Sequence, residues 1–169
     1  MELIRKYNDD NSPEWRTSMN ILQGFYGLLS TLGFAILFNI QGVTLTYAII
    51  NGILSWSVYF LTEGMTPAPY MQHFLTATVI AFYSEFMAIK KKTPATIFLV
   101  PAMIPLLPGG LLFYTMQNLF LGKITAALYY GAAALSIAGV VSLSILCVSF
   151  SFKLVRSVLH SIYVSRKNM

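Results

Sequence analysis

Charge is what this sequence has least of. Asp, Glu, Lys and Arg make up 10% of its 169 residues, whereas a soluble domain carries about a quarter. Residues 21–61 contain none at all. That excludes a soluble globular domain. Cysteine is nearly absent too. Cys147 is alone, so no intrachain disulfide is possible, and its apolar setting reads as a small buried hydrophobe. Only two histidines occur, His73 and His160, far apart in sequence. Nothing has the spacing of a metal site, and no metal or cofactor is expected. Acidic residues number six, with only Glu85 inside a hydrophobic segment. Without paired carboxylates or a nucleophile beside a base, no enzyme is indicated. Without a phosphate-cradling glycine loop, ATP drive within this chain is excluded.

What remains is apolar. Hydrophobic residues reach 56% and mean hydropathy is +0.66. A spanning helix takes about 20 residues, so the chain has room for four or five spans in one domain. The expected fold is an all-α integral membrane protein with about five transmembrane segments. Residues 1–18 form a polar leader, 19–152 the transmembrane domain and 153–169 a basic tail. Net charge is +5 and the sequence pI near 9.4. The cations gather at Lys90, Lys91 and Lys92 and at the C-terminus. That suits helix ends facing anionic membrane lipid and the cytoplasm, not nucleic acid.

Ser12-Pro13-Glu14 is a helix start, with proline at the first helical position. The first span is expected over 19–38, with Gly24, Gly27 and Gly33 permitting close helix approach. Asn39 then serves as a helix C-cap or an interfacial amide. A second span covers 43–61, where Tyr47, Asn51, Ser55 and Tyr59 share one face at spacing four. Asn51 reads equally as an interhelical hydrogen bonder and as the wall of a translocation path. A breaker-rich loop (Glu63-Gly64, Thr66-Pro67-Ala68-Pro69) precedes a third span over 70–89. Glu85, near its end, is a functional candidate as an intramembrane carboxylate. It is equally a headgroup-level partner for a lysine five residues on. A fifth span covers 126–152, where Ala134, Ala138 and Ser142 make a small-residue stripe.

The fourth segment, 94–121, cannot be one regular helix. Pro94, Pro101, Pro105 and Pro108 precede Gly109 and Gly110. Each interior proline removes a backbone donor and clashes one turn back. In lipid such a break persists only when buried in protein or lining a watery cavity. Pro101, Pro105 and Pro108 free the carbonyls of Ile97, Pro101 and Ile104. A half-helix starting after Pro108 offers the amides of Gly109, Gly110, Leu111 and Leu112, with the positive end of a helix dipole, to a carboxylate. Tyr114, Gln117 and Asn118 add polar reach. The expected substrate site is therefore Pro105, Pro108, Gly109, Gly110, Tyr114 and Asn118, with Asn51 as wall and Glu85 as proton-coupling group. Broken helices of this kind build the sites of secondary transporters.

The motif Lys92-x-Pro94-Ala95-Thr96-x-Phe98, followed by Pro101-Ala102-x-Ile104-Pro105-Leu106-x-Pro108-Gly109-Gly110 and Tyr114-Thr115-Met116, resembles the smaller subunit of the bacterial threonine/serine exporter family. Gly33-Phe34-Ala35, Phe38-Asn39 and Glu85-x-x-Ala88 fit the same resemblance, which covers roughly residues 20–152. It implies half of a multi-pass export permease of the bacterial cytoplasmic (inner) membrane. A larger subunit of the same family would be the partner, within a higher oligomer in some arrangements. It also implies secondary transport of small amino acids or dicarboxylates, so of a small carboxylate substrate. The alternative role is a scaffold that stabilises a larger partner without transporting.

Overall fold

The computed structural model describes the backbone of residues 13–62 and 69–167 and the side chains of 22–62 and 70–158. Most of the leader, the loop at 63–68 and the His160 side chain lie outside these residues. Every regular element described is helical: α1 (Pro13–Leu37), α2 (Val43–Thr62), α3 (Pro69–Lys91), α4 (Thr96–Met103), a 3-10 turn (Ile104–Leu106), α5 (Gly109–Phe120) and α6 (Ile124–Lys167). α1 begins at Pro13, as the proline-first start predicts.

Helix ends are set by local chemistry. After α1 the Asn39 backbone is left-handed (φ 56°). Its amide bonds to Ile36 O and that of Ile40 to Ala35 O, the paired bonds of a Schellman cap, with asparagine in the left-handed position. The expected C-cap at Asn39 is present. Lys92 (φ 54°) closes α3 the same way, with Thr93 N donating to Ala88 O. Gly122 (φ 70°) closes α5, with Lys123 N on Asn118 O and Gly122 N on Leu119 O.

The helices alternate in direction. Gly27 and Thr31 of α1 meet Trp56 and Gly52 of α2, so residue numbers run opposite ways and α1 is antiparallel to α2. A Cβ on Gly27 would run into the Trp56 indole, so only glycine permits this approach. Gly24 and Gly33, by contrast, have nothing near them, and the expected three-glycine face reduces to one contact. Gln72 Nε2 at the start of α3 donates to Tyr59 O at the end of α2, filling one of the carbonyls a helix terminus leaves open. Thr78 Oγ1 lies 2.8 Å from Ser144 Oγ, and Ser149 Oγ donates to Glu85 Oε1. Residue numbers on α3 and α6 rise together, so these two helices are parallel. The segment between them therefore returns along the bundle from one end to the other.

The buried seam of α6 is Ala127, Ala134, Ile137, Val141 and Ser144, a three-four repeat that keeps one stripe facing its neighbours. Ala77 of α3 joins Ile137 and Val141, with Met103, Leu111 and Ile145 around them. Only Ala134 of the expected Ala134–Ala138–Ser142 stripe is fully buried, and Ser142 is exposed. Cys147 is also exposed, against the expected burial, because it falls between seam positions.

Length and apolarity alone qualify α2 and residues 124–158 as membrane spans, and a third if α4, the 3-10 turn and α5 count as one bent segment. α6 has 44 residues, roughly 66 Å at 1.5 Å per residue. That is about twice a hydrocarbon core of about 30 Å. The helix thus continues through the basic stretch that the sequence marks as a tail.

Candidate functional site

α4 starts on a bare alanine. Ala95 offers no side-chain cap, and the first turn closes through Ile97 N to Pro94 O and Leu99 N to Ala95 O. The helix passes Pro101 and ends with Ile104 N on Val100 O. A 3-10 turn follows, closed by Leu107 N on Ile104 O. Leu107 is extended (φ −63°, ψ 141°) and Pro108 sits at φ −76°, ψ 57°. α5 then leaves at 51° to the first half. The break falls roughly 18 Å from the start of α4 by helical rise.

The donors at the break differ in part from expectation. Gly109 N donates to Leu107 O at 2.7 Å and Leu112 N to Pro108 O. Gly110 and Leu111 are then the amides that this first turn leaves open, as a helix N-terminus must. Gly109 and Gly110 are exposed, and a Cβ on either would meet nothing within 4 Å. Tyr114 is 49% exposed and stacks on Tyr130 with ring centres 5.5 Å apart. Asn118, one turn on, donates its Nδ2 to Tyr114 O at 2.7 Å. Pro105 and Pro108 are half-buried.

Asn51 lies elsewhere, wholly buried between α2, α3 and α4. Its Nδ2 donates to Ser84 Oγ and to Phe98 O, both at 2.9 Å, with Ile80 O at 3.4 Å. Three acceptors around one nitrogen fix the amide orientation. The side chain therefore ties three helices together and anchors α4 through its backbone. Its Oδ1 is buried and unbonded. Of the four residues at spacing four on α2, Asn51 and Ser55 are the buried ones, while Tyr47 carries Lys91 Nζ 4.7 Å above its ring.

Glu85 is half-buried and takes a hydrogen bond of 2.7 Å from Ser149 Oγ. It makes no ion pair among the described residues, so Lys90 is not its partner. It lines a cavity of about 480 Å³ with Lys92, Thr93, Pro94, Lys153 and Arg156. A second cavity of about 400 Å³ lies against α4, where Asn39, Gln41, Thr44, Thr93 and Thr96 meet Ile97 and Pro101. Thr93 Oγ1, shared by the two linings, is buried and unbonded.

Glu85, Asn51 and the Pro108–Gly110 turn thus occupy three separate places. Sequence reasoning missed the threonines and amides of the smaller cavity. The one signal available was that Ile97, whose carbonyl Pro101 frees, has Thr93 and Thr96 beside it.

A family model described as Threonine/Serine exporter, ThrE matches residues 23–151. No curated protein and no solved structure gives a match.

Proposed function

Because the chain belongs to the threonine/serine exporter family, we propose that it is one subunit of a secondary-active exporter of small amino acids (threonine, serine) or succinate-like dicarboxylates. It acts with a larger permease subunit of the same family in the bacterial cytoplasmic membrane. It crosses five times: α1, α2, α3, the broken α4–α5 pair and α6. The parallel α3 and α6 support one crossing by the broken pair, because a re-entrant loop would return to the end it left. One end of the bundle then gathers Lys90, Lys91, Lys92, Lys153 and Arg156, and the positive-inside rule weakly favours that end as the cytoplasmic one, against Arg5, Lys6, Arg16 and Lys123 on the other side.

The observation that carries the reading is the 51° break between two apolar half-helices. Its Gly110 and Leu111 amides are the ones the first turn of α5 leaves open, and Gly110 is exposed. A carboxylate held there would meet the positive end of α5, with Tyr114 and Asn118 on the adjoining face and the larger subunit closing the site. Glu85, toward the cationic end, is the proton-coupling group on this reading, and Asn51 holds α4 as the fixed wall.

Single cysteines introduced across residues 105–114 test the reading. Labelling by a water-soluble maleimide that labelled serine, threonine or succinate suppresses is the expected result. A segment inert throughout would leave the scaffold role. Efflux from liposomes should need both subunits, and robust efflux by this chain alone contradicts the pairing. Reporters fused to the two termini should fall on opposite sides.

A further inference from the structure

Two helix ends and a turn converge at the cationic end of the bundle. α3 finishes in the left-handed Lys92, the turn Thr93-Pro94-Ala95 follows, and α6 passes alongside with Phe152, Lys153 and Arg156. They enclose the cavity of about 480 Å³. Lys92 reaches it because the Schellman cap, Thr93 N on Ala88 O, turns the chain there. Lys153 and Arg156, three apart on α6, share a face. Glu85 is the one carboxylate in the lining, and one of its oxygens already accepts from Ser149. Three cations against one carboxylate leave a net surplus of two positive charges. The uncapped start of α4, at Pro94 and Ala95, opens on the same space and adds the positive end of its dipole.

Depth narrows the ligand. Residues 124–152 of α6 carry no charge, so Lys153 is the first cation beyond a run of roughly 43 Å. That places the cavity at headgroup level. The remaining wall is apolar: Ala88, Ile89 and Phe152, with Phe152 edge-on to Phe82 at 5.2 Å. Ile89 is exposed on the outer surface. A free anion would use the cations and leave this wall idle. An anionic phospholipid would use both, its phosphate among the cations and its glycerol and first methylenes on the wall. Basic pockets between helices on the cytoplasmic side are suited to such headgroups.

We propose that this cavity is a binding site for the phosphate of an anionic phospholipid, which would pin the α3–α4 turn to α6. The inference does not depend on what the protein transports. The test uses the full chain in neutral detergent, with lipid retention read by native mass spectrometry and thermal unfolding read in parallel. The probes are phosphatidylglycerol, phosphatidylcholine, inorganic phosphate and serine. Phosphatidylglycerol should be retained and should raise the unfolding temperature, and the other three should not. Each of Lys92→Gln, Lys153→Gln and Arg156→Gln should weaken its binding roughly fivefold, and the Lys153→Gln/Arg156→Gln pair roughly thirtyfold. Lys123→Gln, at the opposite end, should leave it unchanged. The single variants each alter one exposed side chain, so they carry the test if the pair does not fold. Equal retention of phosphatidylcholine would overturn the proposal. So would an equal shift with inorganic phosphate, which makes the site one for soluble phosphate, or protection by serine in place of the lipid. Unchanged phosphatidylglycerol binding in all three single variants would overturn it as well.

Discussion

The two halves of the broken segment are near neighbours in sequence and opposites in packing. In α4 and the 3-10 turn, Phe98, Pro101, Ala102 and Leu106 are buried, and Asn51 bonds to the Phe98 carbonyl. In α5 no residue is buried. That half leans on α6 along one side, through contacts such as Thr115 with Gly131, and presents Phe113, Tyr114 and Met116 outward. Both halves are apolar, so hydrophobicity does not distinguish them. What differs is the number of neighbours: α4 packs against α1, α2 and α3, while the main partner of α5 is α6. Association in lipid is driven by packing and interhelical hydrogen bonds, so the first half is fixed by its own chain. The second half is held on one side only, by α6, and the break between them is a boundary between an enclosed and a one-sided element.

Paired substitutions sharpen that contrast, ranked here by effect on stability. Phe98→Ala removes a wholly buried ring and should cost about 3 kcal/mol. Phe113→Ala, at a ring 64% exposed, should cost less than about 1 kcal/mol. Reversible unfolding in mixed micelles measures both, and equal losses would erase the distinction between the halves.

Asn51→Leu comes next. It removes the donor shared by Ser84 and Phe98, and a loss of about 2 kcal/mol is expected. Part of the cost is offset because the unbonded Oδ1 goes too. Its counterpart Asn118→Ala removes only a local bond to Tyr114 O and should change stability by a few tenths, on the order of one helix surface pair.

Ser149→Ala deprives Glu85 of its hydroxyl partner between α3 and α6. The expected loss is about 1 kcal/mol, measured in the same micelles. Glu85→Gln keeps an acceptor for Ser149 and should cost less. Its effect belongs to transport, where it should weaken dependence on a proton gradient.

Gly110→Leu should also move stability little, within about 0.5 kcal/mol, because nothing lies near that position in this chain. Transport should nevertheless be abolished while insertion into the membrane persists. Full efflux by this variant combined with Pro105→Ala and Pro108→Ala would reduce the break to a kink.

Much of the fold is written locally. The helix start at Pro13, the left-handed cap at Asn39 and the interruption at Pro105–Gly110 each follow from the backbone chemistry of one or two residues. The all-helical class and the apolarity follow from composition and from the length of the apolar runs. Partners at long separation are a different matter. That Asn51 grips Phe98 across 47 positions, or that Glu85 meets Ser149 across 64, depends on how helices turn about their axes when they pack. Single-sequence periodicity leaves that rotation undetermined where every face is apolar, and it made Gly24, Gly33 and Ser142 look equivalent to Gly27 and Ala134. The tertiary structure also decided which amide the break leaves open, Gly110 and not Gly109, because the extended Leu107 turns its carbonyl back onto the Gly109 amide. Sequence thus determined where the helix is interrupted, at Pro105–Gly110 where prolines and glycines cluster, while the single Pro101 is carried inside α4. Packing alone determined which half would be held, since a contact needs two surfaces and a sequence shows only one.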